Sequence, residues 1–174
     1  MPTWLRFLAV YNVAVWLGAC VSATLFIQPL FFTPEVTPGL VQKYTAGKLA
    51  QLAFGRYFAL QVGCGVLTAL FLVAERLSTG KPIARARIWV LAGLLVMLGS
   101  GFWLLPKMER LHLVKYAVNT GIAQKAAATR EFGVWHGISQ VGNLLGGIAV
   151  AWIFWRTVSP VKLTRFDPVP RRGG

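Results

Sequence analysis

Four stretches of this chain, Phe7 to Pro34, Tyr57 to Ala74, Ile88 to Pro106 and Phe132 to Trp155, contain no Asp, Glu, Lys or Arg. Each comes close to or exceeds the roughly 20 apolar residues that cross a hydrocarbon core about 30 Å thick, and each is flanked by charge. In such a solvent every backbone N–H and C=O must find its partner within the segment, so helices are the form these stretches can take. The sequence predicts an all-α integral membrane protein with four transmembrane helices and interfacial amphipathic segments. Residues 1–158 form a single membrane domain, and residues 159–174 form a basic, proline-containing tail.

The flanks refine this picture. Trp4 anchors the first helix, which should run from about Leu5 to Phe32 and fail near Pro29 or Pro34, where proline removes a backbone donor. Leu17 to Cys20 looks like a lipoprotein cleavage box, but the apolar run continues well past it, so an uncleaved span is expected. From Thr37 to Arg56, Leu40, Val41, Tyr44, Leu49, Leu52 and Ala53 alternate at three-to-four spacing with Gln42, Lys43, Lys48 and Gln51. That pattern predicts an amphipathic helix on the membrane surface. Ser78, Gly80 and Pro82 mark a short turn. Lys107 to Glu131 mixes apolar and charged positions and predicts a second interfacial helix or a pair of turns.

The 18 Lys and Arg against five Asp and Glu would suggest nucleic-acid binding in a soluble chain. Here the basic residues sit at helix ends and in connections, so the expected partner is a bilayer with anionic headgroups and not a nucleic acid. Ten basic residues lie on the side of the two termini and the second connection, and eight on the other. The second connection is the shorter and denser one, which places both termini in the cytoplasm, with a bacterial inner membrane as the expected location. Cys20 and Cys64 fall within spans and read as small packing units.

The fourth helix carries the most specific pattern. His136, Gln140 and Asn143 share one face, with Ser139 beside them. Such polar residues either join helices by hydrogen bonds, line a ligand or conduction path, or meet another subunit. Gly133 and Gly137, then Gly142 and Gly146, have the spacing that lets helices approach closely. A haem held by two histidines is disfavoured, because the other histidine, His112, falls in the polar third connection; a single axial pigment or metal contact at His136 stays open. No metal-ligand spacing, nucleophile with its base, paired carboxylates or phosphate loop is present, so no cofactor is required and no enzymatic activity is expected. Asn12, Gln28, Gln61, Thr68 and Ser100 place further polar groups in the other spans, where they form a narrow polar path or satisfy one another.

Val15-Trp16-Leu17-Gly18, Gly39-Leu40-Val41-Gln42, Tyr57-Phe58 with Gly63-Cys64, Trp103-Leu104-x-Pro106, and His136-Gly137-x-Ser139-x-x-x-Asn143-Leu144 together resemble the transmembrane protein 205 family over residues 5–155. The resemblance implies a four-helix membrane domain, one animal member of which is associated with resistance to platinum drugs. It raises His136, Ser139 and Asn143 to candidate family-defining residues. The expectation drawn from all of this is a non-enzymatic accessory or structural subunit of a larger membrane complex, photosynthetic or respiratory, held to other membrane subunits by its glycine-rich faces. The alternative is a small metal- or solute-handling transporter.

Overall fold

A computed structural model describes residues 2–30, 33, 40–80 and 82–159. It contains four helices long and apolar enough to cross a membrane: a first over Thr3–Leu30, a second over Leu40–Thr79, a third over Arg85–Tyr116 and a fourth over Ile122–Val158. Each packs on its sequence neighbours and the fourth closes back on the first, giving a four-cornered bundle. The core is formed by Val13, Trp16, Cys20, Cys64, Leu91, Leu94, Leu98, Val150 and Ile153, all buried. Outward faces remain apolar, with Phe7, Phe26, Leu70, Val96, Phe102, Val141 and Ile148 exposed, as expected for surfaces solvated by lipid.

Tryptophan and basic residues bracket the bundle. Trp4, Trp89 and Trp155, all exposed, lie at one end near Arg6, Arg85 and Arg156; Trp103 and Trp135 lie at the other. Trp103 and Trp135 meet edge to face at 5.2 Å, and Lys107 lies over both rings while pairing with Glu131 at 2.8 Å. From Trp135 to Trp155 the helix rises about 30 Å, the thickness of a hydrocarbon core. The second, third and fourth helices extend beyond the Trp103–Trp135 level as a three-helix projection.

That projection revises the expected connections. The amphipathic stretch of residues 37–56 is, from Leu40 onward, the first part of the 40-residue second helix; its expected start at Thr37 and Pro38 lies outside the described residues. Likewise the third helix does not end at Pro106 but continues to Tyr116. Proline removes one N–H and crowds the carbonyl four residues earlier, yet the Trp103–Trp135 and Lys107–Glu131 contacts hold the chain against the fourth helix on both sides of it. Residues 117–121 form the turn, and the fourth helix begins at Ile122. The first helix passes through a π-helical turn at Ala23–Ile27, in which the Gln28 N–H bonds to the Ala23 carbonyl, just ahead of Pro29. At the other end of the bundle Gly80, with φ of 64°, closes the second helix, and Arg87 pairs with Glu75 at 3.0 Å across the turn.

This topology is checked by labelling single introduced cysteines with a membrane-impermeant reagent. Ser78→Cys and Ser159→Cys should label from one side of the membrane and Val118→Cys from the other; Ser78 and Ser159 labelling from opposite sides would overturn the four-span arrangement.

Candidate functional site

Polar groups within the bundle form a seam between the first and second helices. Asn12, Trp16, Cys20 and Thr24 recur every four residues on the first helix. Asn12 donates through its Nδ2 to the Cys64 carbonyl and to Thr68 Oγ1, both at 3.0 Å. One turn along, Trp16 Nε1 donates to Gln61 Oε1 at 2.6 Å, and the Cys20 thiol approaches the same oxygen at 3.7 Å. The Trp16 ring, fully buried, lies against Gly65, where even a methyl group would crowd it.

At the end of the seam Asn143 of the fourth helix joins three helices. Its Oδ1 accepts a hydrogen bond from the Tyr57 hydroxyl at 3.0 Å, and its Nδ2 donates to Thr24 Oγ1 at 2.8 Å. Asn143 lies eight residues past Trp135, about 12 Å of helix rise inside the aromatic level.

Beside this junction a cavity of about 340 Å3 opens among the second, third and fourth helices, with Gln28 contributed by the first. It falls at the small end of the range of about 300 to 1,000 Å3 typical of small-molecule sites. Two close contacts shape its floor. The Phe58 ring occupies the space a side chain at Gly101 would need, and the Met97 methyl fills the corresponding space at Gly146, 2.6 Å from where a Cβ would stand. Amide and hydroxyl groups of Gln61, Tyr57, Asn143, Ser139 and Gln140 line its inner part. Phe54, Leu104, Leu105 and Met108 make an apolar middle.

The outer end is built around His112, which is 4% exposed. Nine residues past Trp103, it lies about 13 Å of helix rise into the projection. Its ring stacks on Tyr44 at 5.4 Å and packs against Tyr116 at 4.9 Å and Phe132 at 6.1 Å. Gly47 makes this seat possible, since any side chain there would collide with the imidazole. Two polar atoms at this end are buried without a hydrogen-bond partner among the described residues: His112 Nδ1 and Gln51 Oε1. Both residues line the cavity, as do Lys43 and Lys115.

Of the residues singled out in the sequence, His136, Ser139, Gln140, Asn143, Gly142 and Gly146 all line this cavity. Their bonding differs. Asn143 reaches other helices, whereas the Ser139 hydroxyl donates to the His136 carbonyl at 2.7 Å and the His136 imidazole lies 3.4 Å from the Gln140 amide nitrogen. His136 also stacks on Phe132 at 5.9 Å, again within the fourth helix. Gly133 and Gly137 face open space, with nothing within 4 Å of a Cβ built there. Asn12, Gln61 and Thr68 satisfy one another's helices along the seam; Gln28 and Ser100 line the cavity. His112 is not in a polar connection but in the third helix and buried. Its i+4 spacing to Tyr116 was the available signal, hidden by the assumed stop at Pro106. Among the described residues no group of three or more His, Cys, Asp or Glu is placed to hold a metal ion.

A family model described as "Domain of unknown function (DUF4149)" matches residues 12–117, more than half of the chain. The match spans the seam, His112 and the first three helices, and stops short of the fourth. No curated protein and no solved structure matches the chain.

The bonding pattern separates two substitutions. Asn143→Ala, which removes the bonds to Tyr57 and Thr24, should lower stability by about 0.6 to 2 kcal/mol in thermal unfolding in detergent. His136→Ala, whose hydrogen-bond and ring partners among the described residues lie on its own helix, should cost clearly less.

Proposed function

Because the chain belongs to the DUF4149 family, whose description names no reaction, we propose its role from the cavity: a non-enzymatic membrane protein that binds, and passes across one membrane face, a small molecule with an apolar body and a polar end. The observation that carries this reading is the lining. A bundle that needed its polar residues for packing alone would satisfy them against one another, as the Asn12 to Gln61 seam does. The cavity instead leaves His112 Nδ1 and Gln51 Oε1 buried and unanswered by any of the described residues, beside an apolar middle. Buried polar groups without partners are rare and costly, and a bound molecule or ordered water supplies what they lack. The resemblance to the transmembrane protein 205 family supports solute or metal handling. The lining of amides, hydroxyls and rings favours a solute over a metal ion.

The reading is tested by identifying what co-purifies. Protein extracted in a mild neutral detergent should release a small molecule on denaturation. Ser139→Phe should abolish that occupancy while the protein still folds, since it fills the cavity and removes a bond made only within its own helix. Equal recovery from wild type and variant would end the proposal.

A second reading, an accessory subunit of a larger membrane complex such as an energy-converting one, draws on the fourth helix. Gly133 and Gly137, with Val134, Ile138 and Val141 exposed nearby, present small and apolar residues to open space. On this reading other membrane subunits co-purify stoichiometrically, and Gly137→Leu releases them without unfolding the chain; purification of a lone chain would count against it. In either case the protein is proposed to lie in a bacterial inner membrane with both termini cytoplasmic, the side carrying the denser basic connection.

A further inference from the structure

We propose that the outer end of the cavity is a site for the anionic head of a single-chain amphiphile, a carboxylate or phosphate carried on an apolar tail. The inference rests on the solute-binding reading and specifies its ligand. Three observations converge on it.

The first is charge. Cations of the projection include Lys43, Lys48, Lys107, Arg110, Lys115, Lys125 and Arg130, of which Arg110, Lys125 and Arg130 neither line the cavity nor pair with a carboxylate among the described residues. Lys48 and Lys107 are paired with Glu109 and Glu131, at 2.7 and 2.8 Å. Lys43 and Lys115, the two that line the cavity, make no ion pair with a carboxylate among the described residues. The charges acting on His112 are those of Lys115, Lys48 and Glu109, a net positive set.

The second is the environment of Lys115. Its ammonium lies 5.3 Å from the Tyr116 ring centre and 5.4 Å from that of Phe132, while His112 packs on both rings. Ring faces stabilise an ammonium but do not neutralise it, and an anion answers the remaining charge.

The third is the His112 Nδ1, buried and without a partner among the described residues, in a side chain 4% exposed at the same end of the cavity. With its proton on Nδ1 and its ring turned toward the cavity it lines, the imidazole can donate a hydrogen bond to a head-group oxygen. Gln51, one turn past Gly47, presents its amide there too, as a donor or an acceptor depending on which way the amide is turned. Inward from this polar end lie Phe54, Leu104, Leu105 and Met108. A freely soluble anion has no use for that surface, whereas an alkyl tail does.

The test uses the full chain in neutral maltoside micelles with radiolabelled dodecyl phosphate as probe. Saturable binding at one site per chain is expected, with laurate competing and neither dodecanol nor inorganic phosphate doing so at equal concentration. Lys115→Gln and Lys43→Gln should each weaken binding by about tenfold. Arg110→Gln, an exposed cation of the projection outside the lining, should leave it unchanged. Should Lys115→Gln fail to fold, the exposed Lys43 carries the same test. Competition by dodecanol would overturn the requirement for an anion, and competition by inorganic phosphate would overturn the requirement for a tail. If dodecyl phosphate does not bind while Ser139→Phe still displaces a co-purifying molecule, the inference falls and the solute-binding reading stands; if neither is seen, both fall.

Discussion

A polar side chain in hydrocarbon has to be answered by another, and the seam between the first and second helices is where this chain answers most of its own. Trp16 donating to Gln61, with Asn12 donating to Cys64 and Thr68 one turn away, fixes both the rotation and the sliding register of two antiparallel helices. Apolar contacts would not do this alone, since lipid tails compete with them on nearly equal terms. Once that register is set, Thr24 and Tyr57 stand where Asn143 can bond to both, and the fourth helix is positioned by the same hydrogen-bond logic.

The cavity follows from that arrangement. Asn143 holds the fourth helix to the first and second from the inside, while Trp103, Lys107, Glu131 and Trp135 clamp it to the third from the outside. Phe58 over Gly101 and Met97 against Gly146 fill the space where helices come closest. Farther out the second, third and fourth helices continue past the level of Leu30, where the first helix ends, and among them lie the His112 ring cluster and an opening. The one site thus spans two media, with Asn143 inside the aromatic level and His112 outside it.

Much of this was legible in the residues. Uncharged length located all four spans, and the three-to-four spacing of His136, Gln140 and Asn143 picked out a face that borders the cavity. What the residues did not disclose was continuity. An amphipathic pattern such as that from Leu40 to Arg56 has the same periodicity whether its polar face meets headgroups or a cavity shared with other helices. Pro106 carries a local instruction to stop that contacts from the fourth helix override. Reading a stop there turned Lys107 to Tyr116 into a connection and concealed His112. The roles of the polar side chains were equally hard to separate, because Asn143 and His136 share a helix and a depth of only two turns, and only the partners facing them distinguish the two.

The π-turn at Ala23–Ile27 has a consequence for phase. In an α-helix residues four apart overshoot a full turn by about 40°, so a stripe at positions 12, 16, 20, 24 and 28 winds steadily around its axis and by its end would face lipid. A π-turn takes more residues to complete a revolution, and this one, set between Thr24 and Gln28, winds the stripe part of the way back. Gln28 is returned to the interior, where it borders a cavity otherwise built by the other three helices. The first helix takes part in that chamber through an irregularity of its backbone, a vernier correction that brings a four-residue sequence repeat back into step with a helix of a different period.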